Sequence, residues 1–259
     1  MFVTPARTRR FLSLSLWLIA LQIGHACSVP VFRYALERWA PDTFQATIFH
    51  RGALSPEDAT LVRKLAEAQA NITVVTVDLD GTPSDEQRNN WKEQDTSDLP
   101  WLYVTYPEAH PVAVELDAGL LETSRVTRLL HSPRRLEISN GLIDGETAYW
   151  VQIDSGDTTA DDAAWKMLNE QLAELTDTLK LPTLEQEDID NGLVSVGQDD
   201  LKLSFNAKRI ARDSVEEEFF VRMLLDSEED LLGLDEPMIF PIFGRGRALY
   251  ALVGTGISA

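Results

Sequence analysis

Asp98-Leu99-Pro100-Trp101-Leu102-Tyr103 in the first half of the chain and Asp235-Glu236-Pro237-Met238-Ile239-Phe240 in the second follow one plan. Each is Asp-x-Pro followed by three large apolar or aromatic residues, and each runs on into a β-hairpin. Similarity of this kind within a chain points to a repeated structural unit. A proline directly before a strand can fix a tight turn through a cis peptide bond, which occurs almost only before proline.

Short β-type runs and helical runs alternate around both motifs, which is the grammar of an α/β protein. In the first half, residues 44–50 (FQATIFH) read as a strand. A helix then starts at Ser55, with Pro56 in its first turn, Glu57 and Asp58 at its positive end, and Leu61, Leu65 and Ala68 as its buried stripe. Residues 72–79 (ITVVTVDL) form a β-branched run that suits a buried parallel strand. A polar, partly helical stretch (82–97) follows. Next come two strands (101–106 and 112–116) around a turn with Pro107 and Pro111, and a helix over 122–131.

The second half repeats the pattern. A strand is expected over 147–154 and a helix over 159–179 with Trp165, Leu168, Leu172 and Leu175 on one face. An acidic loop through Asp190 reads as solvated. A strand (201–211) and a helix (215–225) carrying Phe219, Phe220 and Met223 come next. Two strands (238–243 and 248–253) joined at Gly244-Arg245-Gly246 end the pattern, and Arg245 and Arg247 read as solvated. No closing helix follows the second hairpin. The sequence leaves open whether that helix was lost or the chain is truncated. The first module and residues 132–144 are the candidate covers for the bare sheet face.

The order β-α-β-α-β-β-α with a proline before the third strand resembles the thioredoxin-like superfamily over residues 43–255. The resemblance implies two tandem thioredoxin-like modules, 44–131 and 147–259, joined by a linker helix (132–146), with the second module lacking its closing helix. Thiol redox chemistry in that superfamily needs Cys-x-x-Cys at the first helix N-terminus, where the dipole lowers a thiol pKa. The equivalent stretches here are 50–56 (HRGALSP) and 155–161 (SGDTTAD), and neither holds cysteine. Thiol oxidoreductase, isomerase and peroxidase activities are therefore disfavoured.

The N-terminus reads as a signal peptide over residues 1–26. Arg7, Arg9 and Arg10 form a basic region. An uncharged apolar run, 11–24 (FLSLSLWLIALQIG), follows, and Gly24 and Ala26 give a small-residue cleavage signature. The run is shorter than the ~20 residues a spanning helix needs. The expected location is periplasmic or otherwise extracytoplasmic, with residues 27–43 as an N-terminal extension. Cys27, the only cysteine, directly follows the cleavage point and is a lipidation candidate. A single cysteine cannot close an internal disulfide, so stability must come from the core. Residues 27–35 also resemble a group of uncharacterised exported bacterial proteins of planctomycete type. Their mature chains begin Cys-x-x-Pro-Val-x-Arg-Tyr-Ala, matching Cys27, Pro30, Val31, Arg33, Tyr34 and Ala35.

The formal charge is −19. Residues 1–26 hold three arginines and no acid, so their removal leaves −22. A surface this acidic repels phosphate backbones and anionic lipid, which disfavours nucleic acid and leaves an N-terminal lipid anchor as the only membrane contact.

Asp78-Leu79-Asp80-Gly81-Thr82 after an apolar run resembles the opening loop of haloacid-dehalogenase-type phosphatases. There the first Asp would attack phosphorus, the second would act as general acid, and both would hold Mg²⁺. Thr105 and the 156–161 stretch sit where that family keeps its phosphate-binding hydroxyl and distal acids. Against this, no lysine lies between Thr105 and Asp161, Asp78 to Thr105 is a short interval, and Asp-x-Asp-Gly is also a good turn sequence. The histidines have no metal-type spacing, and no P-loop, G-x-S-x-G or H-E-x-x-H occurs.

The reading is an exported, non-catalytic thioredoxin-like binding protein with no metal or cofactor and a protein or peptide partner. The Mg²⁺-dependent phosphatase using Asp78 and Asp80 is the alternative. The binding grooves would be bordered by Pro100, Trp101 and Tyr103 in one half and by Pro237, Met238 and Phe240 in the other. Alternation along a strand also allows these side chains to be core.

Overall fold

A computed structural model of the chain describes residues 28–108, 110 and 115–258. Residues 1–26, read above as a signal peptide, and Cys27 lie outside the described residues.

Helix α1 (Val31–Arg38) is followed by strand β1 (Phe44–His50), helix α2 (Pro56–Ala66), strand β2 (Ile72–Asp78) and helix α3 (Asp85–Glu93). Strands β3 (Trp101–Thr105) and β4 (Glu115–Leu120) and helix α4 (Thr123–Leu130) complete this half. The strands form one sheet in the order β2-β1-β3-β4, parallel between β1 and β2 and antiparallel elsewhere. Helix α2 starts where its caps dictate. Pro56 takes the first turn, where no N–H is needed, and Ser55 Oγ accepts the Asp58 N–H at 3.1 Å. Helix α3 opens with a reciprocal cap, in which Ser84 Oγ accepts the Gln87 N–H and Gln87 Oε1 accepts the Ser84 N–H.

Strand alternation then sorts the side chains. Ala46, Ile48, Leu102 and Val104 form one buried face with Leu65 of α2 and with Val126 and Leu129 of α4. On the other face the Phe49 ring packs, tilted, at 5.4 Å from Trp91 of α3 and at 6.3 Å from Tyr103.

The second half begins with helix α5 (Pro133–Ile143), strand β5 (Ala148–Asp154), the long helix α6 (Thr158–Thr178) and the short helix α7 (Gln186–Asp190). Strand β6 (Phe205–Ala211), helix α8 (Glu218–Leu225), strand β7 (Met238–Phe243) and the short strands β8 (Arg247–Ala248) and β9 (Leu252–Val253) follow. Their sheet has the order β6-β5-β7-β8, with β9 also paired to β7. Again the first two strands, β5 and β6, are parallel and β7 is antiparallel to β5. The protein is thus a mixed α/β structure with two sheets.

Helix α8 ties the halves together. Phe220, Val221, Leu224 and Leu225 pack on the second sheet with Val151, Ile153 and Phe240. Phe219 belongs instead to the core of the first sheet, with Met223 at its margin. Polar contacts reinforce the junction. Glu217, 5% exposed, accepts the Ser132 hydroxyl and the Arg134 N–H, and Arg128 pairs with Glu218 at 3.0 Å.

Several elements differ from their sequence expectation. Of the strand expected at 112–116, residues 112–114 lie outside the described residues; the described strand is β4, Glu115–Leu120, whose pairing to β3 skips Leu116 and so shifts the register. Asp117 and Gly119 are weak β formers, so only tertiary pairing reveals this strand. Ala68 lies beyond the end of α2. The strand expected at 248–253 is split into β8 and β9. Leu249 and Tyr250 turn outward between them, and the Ala251 N–H donates to Glu228 Oε1 at 2.9 Å. The acidic loop is not solvated throughout. Asp188 of α7 accepts the Ser28 N–H (2.7 Å) and hydroxyl (2.6 Å), and Leu184 and Val194 are buried with Val29. Helix α5 does not cover the sheet face for which the sequence makes residues 132–144 a candidate. Its Ile138 and Leu142 join the α8 face, while Leu168 and Leu172 of α6 cover Ile239 with Ile257 beside them.

The Gly244-Arg245-Gly246-Arg247 turn is likewise engaged by the N-terminal segment. Arg245 donates to the Leu36 carbonyl at 2.7 Å, and Arg247 pairs with Asp42 and lies 5.3 Å over the Trp39 ring. Gly244 has φ +59°, and a Cβ there would come within 2.7 Å of the Ala35 Cβ, so glycine is needed on both counts.

Because Phe219 fills the core of one sheet from a helix seated on the other, Phe219→Ala should destabilise both halves together, by about 3–5 kcal/mol. Urea unfolding with probes in each half should show both midpoints falling in step.

Candidate functional site

The C-terminal ends of β1 and β2 and the entry to β3 converge on one surface, because Phe49 pairs with Trp101 and His50 with Asp78. The Leu99–Pro100 bond is cis, and the Pro100 carbonyl accepts the Leu121 N–H at 2.9 Å. Pro100, Trp101 and Tyr103 are half-buried. Trp101 Nε1 donates to Gln94 Oε1 at 3.1 Å, which fixes the indole against the end of α3. Burial, followed by the carboxylates of Glu115 and Glu93, raises the Tyr103 pKa above that of an ordinary phenol. Leu99 itself has neither its N–H nor its C=O in a hydrogen bond with the protein.

The matching place in the second half is closed. Pro237 is buried, its peptide bond is trans, and its carbonyl accepts the Gly254 N–H at 3.0 Å. Met238 and Phe240 are fully buried in the core against α8. They line no surface groove, because residues two apart on β7 face the same way, here toward the core. Of the six groove candidates, the structure gathers Pro100, Trp101 and Tyr103 at an accessible site and leaves the other three inside.

Asp78 and Asp80 serve the neighbouring loops. Asp78 Oδ1 accepts the Gly52 N–H (3.1 Å) and the Asp80 N–H (3.0 Å), while Asp80 pairs with Arg51 at 2.5 Å. The two carboxylates thereby hold the β1–α2 loop to the β2–α3 loop. Thr105 lies on the first sheet, and Asp157 and Asp161 lie at the start of α6 on the second. Asp161, 2% exposed, accepts the Ser155 N–H and hydroxyl at 2.8 Å and the Gly156 N–H at 3.1 Å. Asp157 caps the helix through the Thr159 and Ala160 N–H groups. These acids are therefore used in local turns on separate sheets. Among the described residues no group of three or more His, Cys, Asp or Glu side chains is arranged to hold a metal ion.

A polar junction escaped the sequence reading. Tyr106, just beyond β3, donates its hydroxyl to Asp226 Oδ2 at 2.8 Å, and Arg222 of α8 donates to the same oxygen at 2.5 Å. The partners are far apart in sequence, and no local pattern signals the contact.

No family model matches the chain, and no curated protein matches it. Among solved structures it is similar to the first two thioredoxin domains of Naumovozyma dairenensis Eps1p. The identity is 12%, with 88% of this chain and 91% of that chain covered and a TM-score of 0.24. It is also similar to the corresponding domains of Saccharomyces cerevisiae Eps1p, at 11% identity, 89% and 91% coverage and a TM-score of 0.25. Scores this low carry no weight for fold or function.

Burial, followed by the bond to Asp226 and that carboxylate's charge, pushes the Tyr106 phenol far above its ordinary 10.0. The folded state thus holds this proton more tightly than the unfolded chain. The contribution is complete below pH ~10 and is lost as pH climbs beyond it toward the raised folded value. In Tyr106→Phe, stability at neutral pH should fall by about 1–3 kcal/mol as buried Asp226 loses a donor. The alkaline loss of stability, measured by denaturation at pH 9 to 11, should shrink in parallel.

Proposed function

We propose that the chain is an exported, non-catalytic protein of two thioredoxin-like modules, which captures extended peptide segments at the groove beside Pro100. The observation that carries this reading is the unpaired backbone of Leu99. An extended segment can take both its N–H and its C=O in the manner of an added strand, with the half-buried rings of Trp101 and Tyr103 alongside. The repeated strand order and the proline before the third strand of each sheet support the two-module description. The absence of sulfur from residues 50–56 and 155–161 supports a role without thiol exchange. Export, and attachment through a lipid on Cys27, rest on the basic-apolar-small pattern of residues 1–26.

In this reading only the first module binds. The second, with its equivalent position closed by the Gly254 N–H and by the burial of Met238 and Phe240, acts as a brace. The test is titration of the purified protein with reduced, carboxymethylated α-lactalbumin, a permanently unfolded chain, followed by fluorescence anisotropy. Saturable binding that weakens several-fold in Trp101→Ala, without acceleration of insulin reduction by dithiothreitol, is the expected result. No binding, or binding indifferent to Trp101, would contradict the reading.

A further inference from the structure

Between the two sheets lies an open cleft of about 770 Å³. One wall is the first part of β4, from Glu115 to Ala118; the other is loop 212–215 with α8 and Leu232. Strand β4 is the last of its sheet, so among the described residues its outer edge has no strand partner. The Leu121 N–H reaches the Pro100 carbonyl, which places that pair on the bonded side of the ladder. With Ala118 opposite Tyr103 and Leu120 opposite Trp101, antiparallel alternation turns the backbone groups of Ala118 and Leu120 outward. The Ala118 carbonyl receives only a long 3.5 Å contact from Arg125. Unpaired edges of this kind are templates for a further strand.

The facing wall leaves aliphatic surface in water, with Val215 69% and Leu232 50% exposed. The charge left over in the cleft is negative. Arg212 is bound to the carbonyls of Leu234 (2.5 Å) and Leu232 (3.2 Å), and Arg222 is bound to Asp226. The Glu115 and Asp213 side chains make no hydrogen bond or salt bridge with a described residue, although Arg222 lies close enough to feel the Glu115 charge. Asp117 engages Arg125 through Oδ1, while its Oδ2 is buried without a partner.

We infer that this cleft docks a cationic, extended peptide segment. The segment adds to β4 as an outer strand, lays alternate apolar side chains on Val215 and Leu232, and brings lysine or arginine to Glu115 and Asp213. The site is distinct from the Leu99 groove, so either can fail while the other stands.

Anisotropy titrations of the purified protein with a labelled peptide of alternating lysine and valine, and with its glutamate–valine counterpart, test the inference. The lysine peptide should bind at least tenfold more tightly than the glutamate peptide, and this difference should shrink as salt rises. Glu115→Lys with Asp213→Lys should weaken binding about tenfold or more through like-charge repulsion. Val215→Ser should also weaken it by removing apolar contact without a change of charge, and Trp101→Ala should leave the salt-sensitive preference for the lysine peptide unchanged. All three cleft positions are exposed, so these variants keep their fold. No binding of the lysine peptide, equal binding of both peptides, unchanged affinity in the charge-reversed protein, or loss of the lysine preference through Trp101→Ala alone would each overturn the inference.

Discussion

The two-sided burial of helix α8 is the constraint on which the rest of the structure depends. Within eight residues, EFFVRMLL, it supplies Phe220, Val221, Leu224 and Leu225 to one sheet and Phe219 to the other. A helix apolar over so much of its surface is stable only when enclosed. Its start is fixed by Glu217 on Ser132 and Arg134. Its end is fixed by Asp226, which receives both Tyr106 and Arg222. The cleft along β4 follows from the same arrangement, since α8 reaches the first sheet beside its edge strand without pairing to that edge.

The two prolines that look equivalent in sequence end in different environments, and the difference has a physical cause. After Pro100 the chain forms a full strand, β4, and then a closing helix, α4, while Leu99 stays unpaired. After Pro237 the return strand is broken into β8 and β9, and β9 together with the Gly254 N–H covers Met238 and the Pro237 carbonyl. The sheet face at Ile239 is covered by α6, with Ile257 beside it. The N-terminal segment adds a further brace, with α1 against Gly244 and Ser28 on Asp188.

Much of this was legible from local signals. Ser55-Pro56 and the β-branched run 72–78 marked α2 and β2 because capping and strand preference act over a few residues. The Asp-x-Pro repeat located β3 and β7 for the same reason. The register of β4 was not legible, because Asp117 and Gly119 become strand only through pairing with Val104 and Leu102. Nor was the docking of the acidic loop, where Asp188 is matched to Ser28 across the whole fold. Of the site, Pro100, Trp101 and Tyr103 could be found from sequence. The burial of Met238 and Phe240 and the local use of Asp78 and Asp80 depend on contacts between distant segments, which no short motif encodes.

Native-state hydrogen exchange tests most directly whether α8 makes the two sheets one cooperative structure. The account predicts that amides of α8, of β1 in the first sheet and of β5 in the second exchange through a single global opening, with equal free energies and equal denaturant dependence. Exchange of β1 through a separate, lower-energy opening while α8 and β5 stay protected would contradict it.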